Sequence, residues 1–537
     1  MDSASDRPGG GPATPPPVHL ADLVSRAAGR VPDHQAVVDA TRDLTLTWAE
    51  LDAAVSGEAA RLRAAGVGPG DRVVVMLDNG AAFCVALLGA LRADATVVPI
   101  GPRAVSRELE IVFGDCSPSV IVVAPDVSAV AGPAAAVGAA VLAPPDPADA
   151  RAAGNGPDSA VSGTTFERVV DGGTAESARG GEAVALLVYT SGTTGVPRGV
   201  QLSHRAVLAN RAQAAALRPA PVTPVDRVLL SLPLFHIFGL AAGLLQVCWV
   251  GATVVLTERF DPEQSVDVIV KHRVSGVAGV PSMYRLLLDL PAERLREAFA
   301  GVRLCTSGGA PLPPGWLADF RAATGLDIHE GYGLTETGPV LTSTLVGGVA
   351  KPGSVGRALP GIEVRLVDTE GRPLDERAAD EESDGVSDPA HDTGLVAARG
   401  PNLFSGYWPD GTGGPDADGW FRTADVGYLD ADGDLHLVDR ASDLIIVNGF
   451  NVYPREVERV LGELDEITEA AVVGIPDDRT GEAVRAVVVP AGGAELSEDD
   501  IRRHCAARLA RFKVPAVITF VDALPRTPTG KVARRLL

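Results

Sequence analysis

The chain has 537 residues, 46% of them hydrophobic, with 60 glycines, 41 prolines and a formal net charge of −22. That length exceeds a single core and implies roughly two to four domains or subdomains, built from the apolar content of an ordinary globular protein. The acidic balance excludes a nucleic-acid backbone as partner, because a polyanion would be repelled overall, yet it leaves room for a local basic groove.

Residues 1–17 are rich in Gly and Pro and lack the apolar segment of a signal peptide, so they read as a disordered leader. Leu and Ala at helical spacing predict a helix over 48–65, followed by a strand at 72–77, a helix at 81–93 and extended pieces at 96–100 and 119–123. The Ala/Gly/Pro-rich stretch 131–181 reads as a surface connection with little regular structure. Strand–helix alternation resumes at 183 and runs to about 330, which implies stacked parallel or mixed sheets with helices on their faces. Residues 228–256 carry no formal charge, but Pro233, His236, Gln246 and several glycines interrupt them, so they read as buried core rather than a membrane span. From 353 to 437 the pattern changes to short β pieces (363–367, 394–398, 427–429, 435–438), a small barrel-like subdomain whose acidic stretch 375–392 reads as a solvated loop. A boundary near Asp439 and Arg440 opens a compact α+β unit with helices at 454–464 and 498–509, strands at 470–473, 484–489 and 516–521, and a turn at 527–530. Cys84, Cys116, Cys248, Cys305 and Cys505 are odd in number and widely spaced, which fits reduced thiols in a cytoplasmic protein and no zinc site.

The chemistry concentrates in a few short segments. Residues 186–200 read L-L-V-Y-T-S-G-T-T-G-V-P-R-G-V. Four hydroxyls (Thr190, Ser191, Thr193, Thr194) and two glycines (Gly192, Gly195) offer many small donors to an anion, and Arg198 adds a cation. The spacing is not that of a Walker A loop. In G-Y-G-L-T-E-T at 331–337, Tyr332 offers a flat face to a purine, Thr335 a hydroxyl, and Glu336 a hard oxygen for Mg²⁺, although such a turn alone could equally be a solvated loop. S-G-G-A-P-L at 307–312 lets the backbone lie flat against a planar ligand, or simply joins strand to helix. Asp425, in W-F-R-T-A-D-V-G, could accept both hydroxyls of a ribose or sit in a solvated turn. P-L-F-H-I-F-G at 233–239 carries His236, by default a packed core histidine, and no carboxylate to neutralise a substrate ammonium, which favours a plain acid over an amino acid. Lys531 ends P-R-T-P-T-G-K near the C-terminus, where a lysine is ordinarily solvated.

In order and spacing, from about residue 20 to 537, these segments resemble the adenylate-forming (ANL) superfamily and, within it, the acyl-CoA synthetase or fatty-acid–CoA ligase branch. The resemblance implies an α/β fold. A large N-terminal domain (18–438) of stacked βα sheets with a barrel-like subdomain would carry a small mobile α+β lid (439–537) hinged at Ser442. It implies triphosphate contacts from Thr190, Ser191, Gly192, Thr193, Thr194 and Arg198, an adenine site at Gly308, Gly309, Ala310, Tyr332 and Gly333, and the α-phosphate on Thr335. It further implies Mg²⁺ on Glu336 and Thr190, ribose on Asp425, ribose or phosphate on Arg440, and His236 beside the acyl carboxylate. Gly449 would line the thiol tunnel, or only form a tight turn. Lys531 would be the adenylating cation. Arg198 replaces the usual Lys, Ala424 the usual Gly, Leu395 a frequent Glu, and Ser442 the usual hinge Asp or Lys. The implied activity joins a carboxylic acid to coenzyme A through acyl-AMP, with ATP and Mg²⁺. V-P-S-M-Y at 280–284 favours a medium or long fatty acid, hence peripheral contact with lipid, or else ordinary core packing. The alternatives are transfer to a carrier-protein thiol, or a non-catalytic acyl- or nucleotide-binding relative, against which intact Thr335, Glu336, Asp425 and Lys531 weigh.

Overall fold

A computed structural model describes residues 17–148, 180–190, 197–374, 393–440, 443–447, 450–477, 479–492, 496–526 and 532–537. The leader up to residue 16, Ser191, Gly192, Thr193 and Thr194, the acidic stretch 375–392, Ser442, Gly449 and Lys531 lie outside the described residues.

Two large sheets carry the N-terminal part. The nine-stranded sheet runs Arg357–Ala358, Val340–Ser343, Ile328–Gly333, Leu304–Ser307, Gly276–Gly279, Arg227–Leu230, Thr253–Leu256, Gln35–Asp39 and Leu44–Thr47, with a parallel centre and antiparallel edges. The six-stranded sheet runs Ala140–Leu142, Val120–Val123, Arg72–Met76, Thr96–Pro99, Val184–Thr190 and Arg198–Ser203, parallel except for its last pair. Central strands such as Thr253–Leu256 and Val120–Val123 are buried along their whole length, the continuous β-branched runs that a sheet covered on both faces requires. Helix Ala81–Arg92 touches strands of both sheets, and all but two of its residues are buried. Its sequence is accordingly apolar all round rather than amphipathic.

The uncharged stretch 228–256 resolves into two strands, a π-helix over Phe238–Leu245 and a short helix Gln246–Val250, mostly buried. Among the described residues no helix is long and apolar enough to cross a membrane. All five cysteines are buried and free.

One expectation needs correction. The stretch 131–181, read as irregular, begins with helix Ala131–Val137 and the strand Ala140–Leu142, which extends the six-stranded sheet beside Val120–Val123. The strand was illegible because it is three residues long and largely exposed, so no burial pattern marks it.

Strands Glu363–Val367, Gly394–Arg399, Trp420–Leu429 and Leu435–Arg440 form an antiparallel meander. The terminal unit builds a separate sheet from Phe450–Val452, Ile445–Val447, Gly481–Pro490 and Ile467–Asp477, with Val517–Phe520 parallel to Gly481–Pro490. Helices Pro454–Leu461 and Glu498–Ala506 contribute to a core that includes Val457, Leu461, Val472, Val484 and Ile501.

Candidate active site

A cavity of about 3090 Å³ opens where the ends of the sheet strands, the meander and the terminal unit converge. Among its lining residues are Thr190, Arg198, His236, Gly308, Gly309, Ala310, Tyr332, Gly333, Thr335, Glu336 and Asp425. Both flanks of two undescribed motifs also reach it. Thr190 and Pro197 bracket the hydroxyl-rich loop, while Arg526 and Val532, which bridge to one another, bracket Lys531. Segments more than 300 positions apart in sequence therefore meet on one cleft.

Local chemistry explains why each side chain stands where it does. Strand Ile328–Gly333 runs on through the Gly-Tyr-Gly turn, further than its apolar residues alone predict. A Cβ on Gly333 would lie 1.8 Å from the Pro339 carbonyl, so no side chain fits there. The short turn Thr335–Thr337 is locked by Thr337 Oγ1, which accepts from Leu334 N at 2.9 Å, and by Asn402 Nδ2, which donates to the Thr337 carbonyl at 2.8 Å. This lock aims Glu336 at the cavity. Next to this segment, a Cβ on Gly308 would meet both the Phe238 ring and the Gly331 carbonyl at 3.3 Å. The Ser-Gly-Gly segment thus packs as a flat shelf beside Tyr332.

Two direct contacts join motifs that are far apart in sequence. Tyr332 Oη donates to Asp425 Oδ2 at 2.6 Å, and both residues are buried. The residue read as the purine platform therefore also fixes the carboxylate read as the ribose acceptor. Asp425 is the register partner of Arg440 across the meander. The second contact was not foreseen. Tyr407 Oη donates to Glu336 Oε1 at 2.8 Å, and the Arg198 guanidinium lies 3.7 Å from the Tyr407 ring centroid. Burial and the Glu336 charge hold the Tyr407 hydroxyl protonated far above the usual phenol range. No motif announces Tyr407. Its segment is recruited by backbone pairing, with Gln201 N donating to the Gly406 carbonyl and Trp408 N to the Gly199 carbonyl.

Glu336 and Thr190 fit a hard divalent cation in donor type. Tyr407 occupies Oε1 of the carboxylate, and its other oxygen takes no bond from a described residue. A partner that orients a metal ligand is worth about ten- to a hundredfold in affinity or activity. Tyr407→Phe is therefore expected to raise the Mg²⁺ concentration that the protein requires by about that factor. A Mg²⁺ titration of the initial rate checks this.

His236 is half-buried at the cavity wall, where its Nδ1 accepts from Phe238 N at 3.3 Å. Glu330, which the motif reading passed over, is buried on the same cavity with its Oε2 accepting from Leu312 N at 3.1 Å, and burial pushes its carboxyl up to about 8.

The sequence matches the AMP-binding enzyme family over residues 24–408 and the AMP-binding enzyme C-terminal domain over 456–531. It is 35% identical to a feruloyl-CoA synthase of Amycolatopsis sp over 492 residues, covering 91% of this chain and 92% of that protein. It is 33% identical to the long-chain-fatty-acid–CoA ligase FadD13 of Mycobacterium tuberculosis over 513 residues, covering 94% and 95%. The crystal structure of ATP-bound MatB from Rhodopseudomonas palustris superposes with a TM-score of 0.83 at 32% identity, covering 96% of this chain and 98% of that one.

Proposed function

Because the chain belongs to the AMP-binding enzyme family and is an AMP-forming acyl-CoA ligase, we propose that it activates an aliphatic, fatty-type acid in the cytoplasm. The observation that carries this reading is the shared cleft. The flanks of the hydroxyl-rich loop, the Glu336 turn, the Tyr332–Asp425 pair and the flanks of Lys531 all line it. Phe235, Phe238, Ala242, Val340 and Leu359 give the acyl side an apolar lining.

In the first half-reaction a substrate carboxylate oxygen attacks the α-phosphorus of ATP, and the bond to the bridging oxygen breaks to release pyrophosphate. The protein's contribution is alignment and charge stabilisation. Tyr332 and the Gly308–Gly309 shelf hold adenine, and Asp425 accepts from the ribose. The hydroxyl-rich loop with Arg198 binds the β- and γ-phosphates, Thr335 the α-phosphate, and Arg440 ribose or phosphate. Mg²⁺ on Glu336 and Thr190 would offset triphosphate charge. Lys531 steadies the carboxylate against the α-phosphate, and His236 borders that carboxylate. In the second half-reaction the terminal unit, 439–537, swings about Ser442 and withdraws Lys531. The CoA thiol then passes Gly449 and attacks the acyl carbonyl, and AMP leaves. One lid thereby serves two chemistries.

ATP–pyrophosphate exchange with a panel of fatty, aryl and short-chain acids tests this, followed by mass spectrometry of the thioester. Exchange with an aliphatic acid is expected. Exchange only with aryl acids would overturn the acyl assignment, and no exchange with any acid would overturn the ligase reading for this site.

A further inference from the structure

The cavity wall is not wholly apolar on the acyl side. Arg211, on helix His204–Ala215, is 0% exposed, and Gln246, which opens the helix after the π-helix, is 1% exposed. Both belong to the cavity wall. They share that wall with Phe238 and Ala242, which with Gln246 recur every four residues along the π-helix and its continuation. An eight-residue π-helix is rare and tends to mark a functional site.

The partners of Arg211 are all neutral. Its Nη1 donates to Gln246 Oε1 at 3.2 Å, and its Nη2 to the Gly338 carbonyl at 3.3 Å and to Asn210 Oδ1. Among the described residues no carboxylate pairs with it, and its Nε and the Gln246 Nε2 are buried donors without an acceptor. Burial lowers its pKa to about 9, so it stays charged at neutral pH. A buried cation without a counter-ion is costly, as are two unused donors beside it. Cross-linking helix His204–Ala215 to the Gly338 turn would need only the uncharged hydrogen bonds that Asn210 already supplies, since Asn210 Nδ2 donates to the Val340 carbonyl at 2.7 Å and its Oδ1 accepts from Val340 N at 3.0 Å. The guanidinium is in excess of that structural need.

We propose that Arg211, with Gln246, anchors a second carboxylate at the far end of the acyl substrate, so that the acid activated is an aliphatic dicarboxylic acid joined to CoA through one end only. This rests on the ligase reading above and narrows it. The apolar wall holds the methylene chain, the reacting carboxylate meets ATP near His236, and the distal carboxylate accepts from the unused guanidinium Nε and amide Nε2 donors.

The test compares matched pairs, diacid and monoacid of equal carbon number from four to ten carbons, in ATP–pyrophosphate exchange. For at least one length the wild-type protein is expected to favour the diacid by tenfold or more in kcat/KM. In Arg211→Met the diacid-to-monoacid ratio should fall tenfold or more, chiefly through KM. Gln246→Leu should move it the same way by less, and Arg211→Lys should recover part of it. A wild-type preference for monoacids, or a ratio unchanged by all three substitutions, overturns the proposal. Diacid-induced thermal shift separates it from the parent reading. A shift in wild type that is lost in Arg211→Met upholds the anchor even without exchange, whereas exchange with monoacids and no diacid shift sinks the anchor alone.

Discussion

Replacing Lys531 with alanine is expected to slow acyl-adenylate formation by about a hundredfold or more, while thioester formation from preformed acyl-AMP keeps most of its rate. The asymmetry follows from what each step demands. Adenylation brings a carboxylate against an α-phosphate, two anions that repel, and builds further negative charge on the pentavalent phosphorus. A cation delivered between them acts mainly in the transition state, and a loss of that size corresponds to about 2.7 kcal/mol. Thiol attack on the mixed anhydride has no such pairing of anions to overcome. Arg526 and Val532, on either side of Lys531 in sequence, line the cavity that also holds Glu336 and Thr190. Pyrophosphate exchange measures the first step, and CoA-dependent consumption of synthetic acyl-AMP measures the second. Equal loss in both would mean that the lysine holds the lid together rather than serving one half-reaction, and full retention in both would remove it from the chemistry.

Sequence proposes site residues where local chemistry is self-contained. A loop of hydroxyls and glycines, a Gly-Tyr-Gly turn followed by Thr-Glu, and a lysine after a Pro/Gly turn each announce themselves within a dozen residues. Strand–helix alternation likewise gave the α/β class, because strands buried on both faces must be apolar throughout. What stayed hidden depends on tertiary pairing. Tyr407 reaches Glu336 only because its segment pairs with the strand Arg198–Ser203, and sequence spacing of 71 residues carries no trace of that. Arg211 belongs to no motif, and only the burial of its helix on nearly every side sets it apart. Tyr332 and Asp425 were both assigned to nucleotide, but the hydrogen bond between them needs two strands brought together from different sheets.

Glu330 yields the second large effect, this time in stability. Glu330 is 6% exposed, its carboxylate accepts from the Leu312 N–H, and burial moves its pKa from 4.5 to about 8. The folded state thus favours the neutral acid. A carboxyl raised on folding contributes its stability fully below the unfolded value of 4.5, and that contribution is lost as pH rises to about 8. At 1.36 kcal/mol per pH unit the swing is roughly 4–5 kcal/mol. Glu330→Gln keeps the shape and an acceptor for Leu312 N but cannot ionise. The variant is therefore expected to match wild type near pH 5 and to melt at a progressively higher temperature than wild type toward pH 9. Comparing the two at each pH cancels other titrations. Among them is His204, whose burial lowers its pKa to about 3 and which costs stability in the opposite direction, as pH falls below its unfolded value. Calorimetric melting of the ligand-free proteins from pH 5 to pH 9 checks this, and two parallel curves would mean that Glu330 is ionised in the folded protein throughout. The same neutrality has a functional side. A protonated Glu330 adds no anion to a cleft that must accept both ATP and a carboxylate, whereas above pH 8 wild type, but not Glu330→Gln, should bind ATP more weakly as that charge appears.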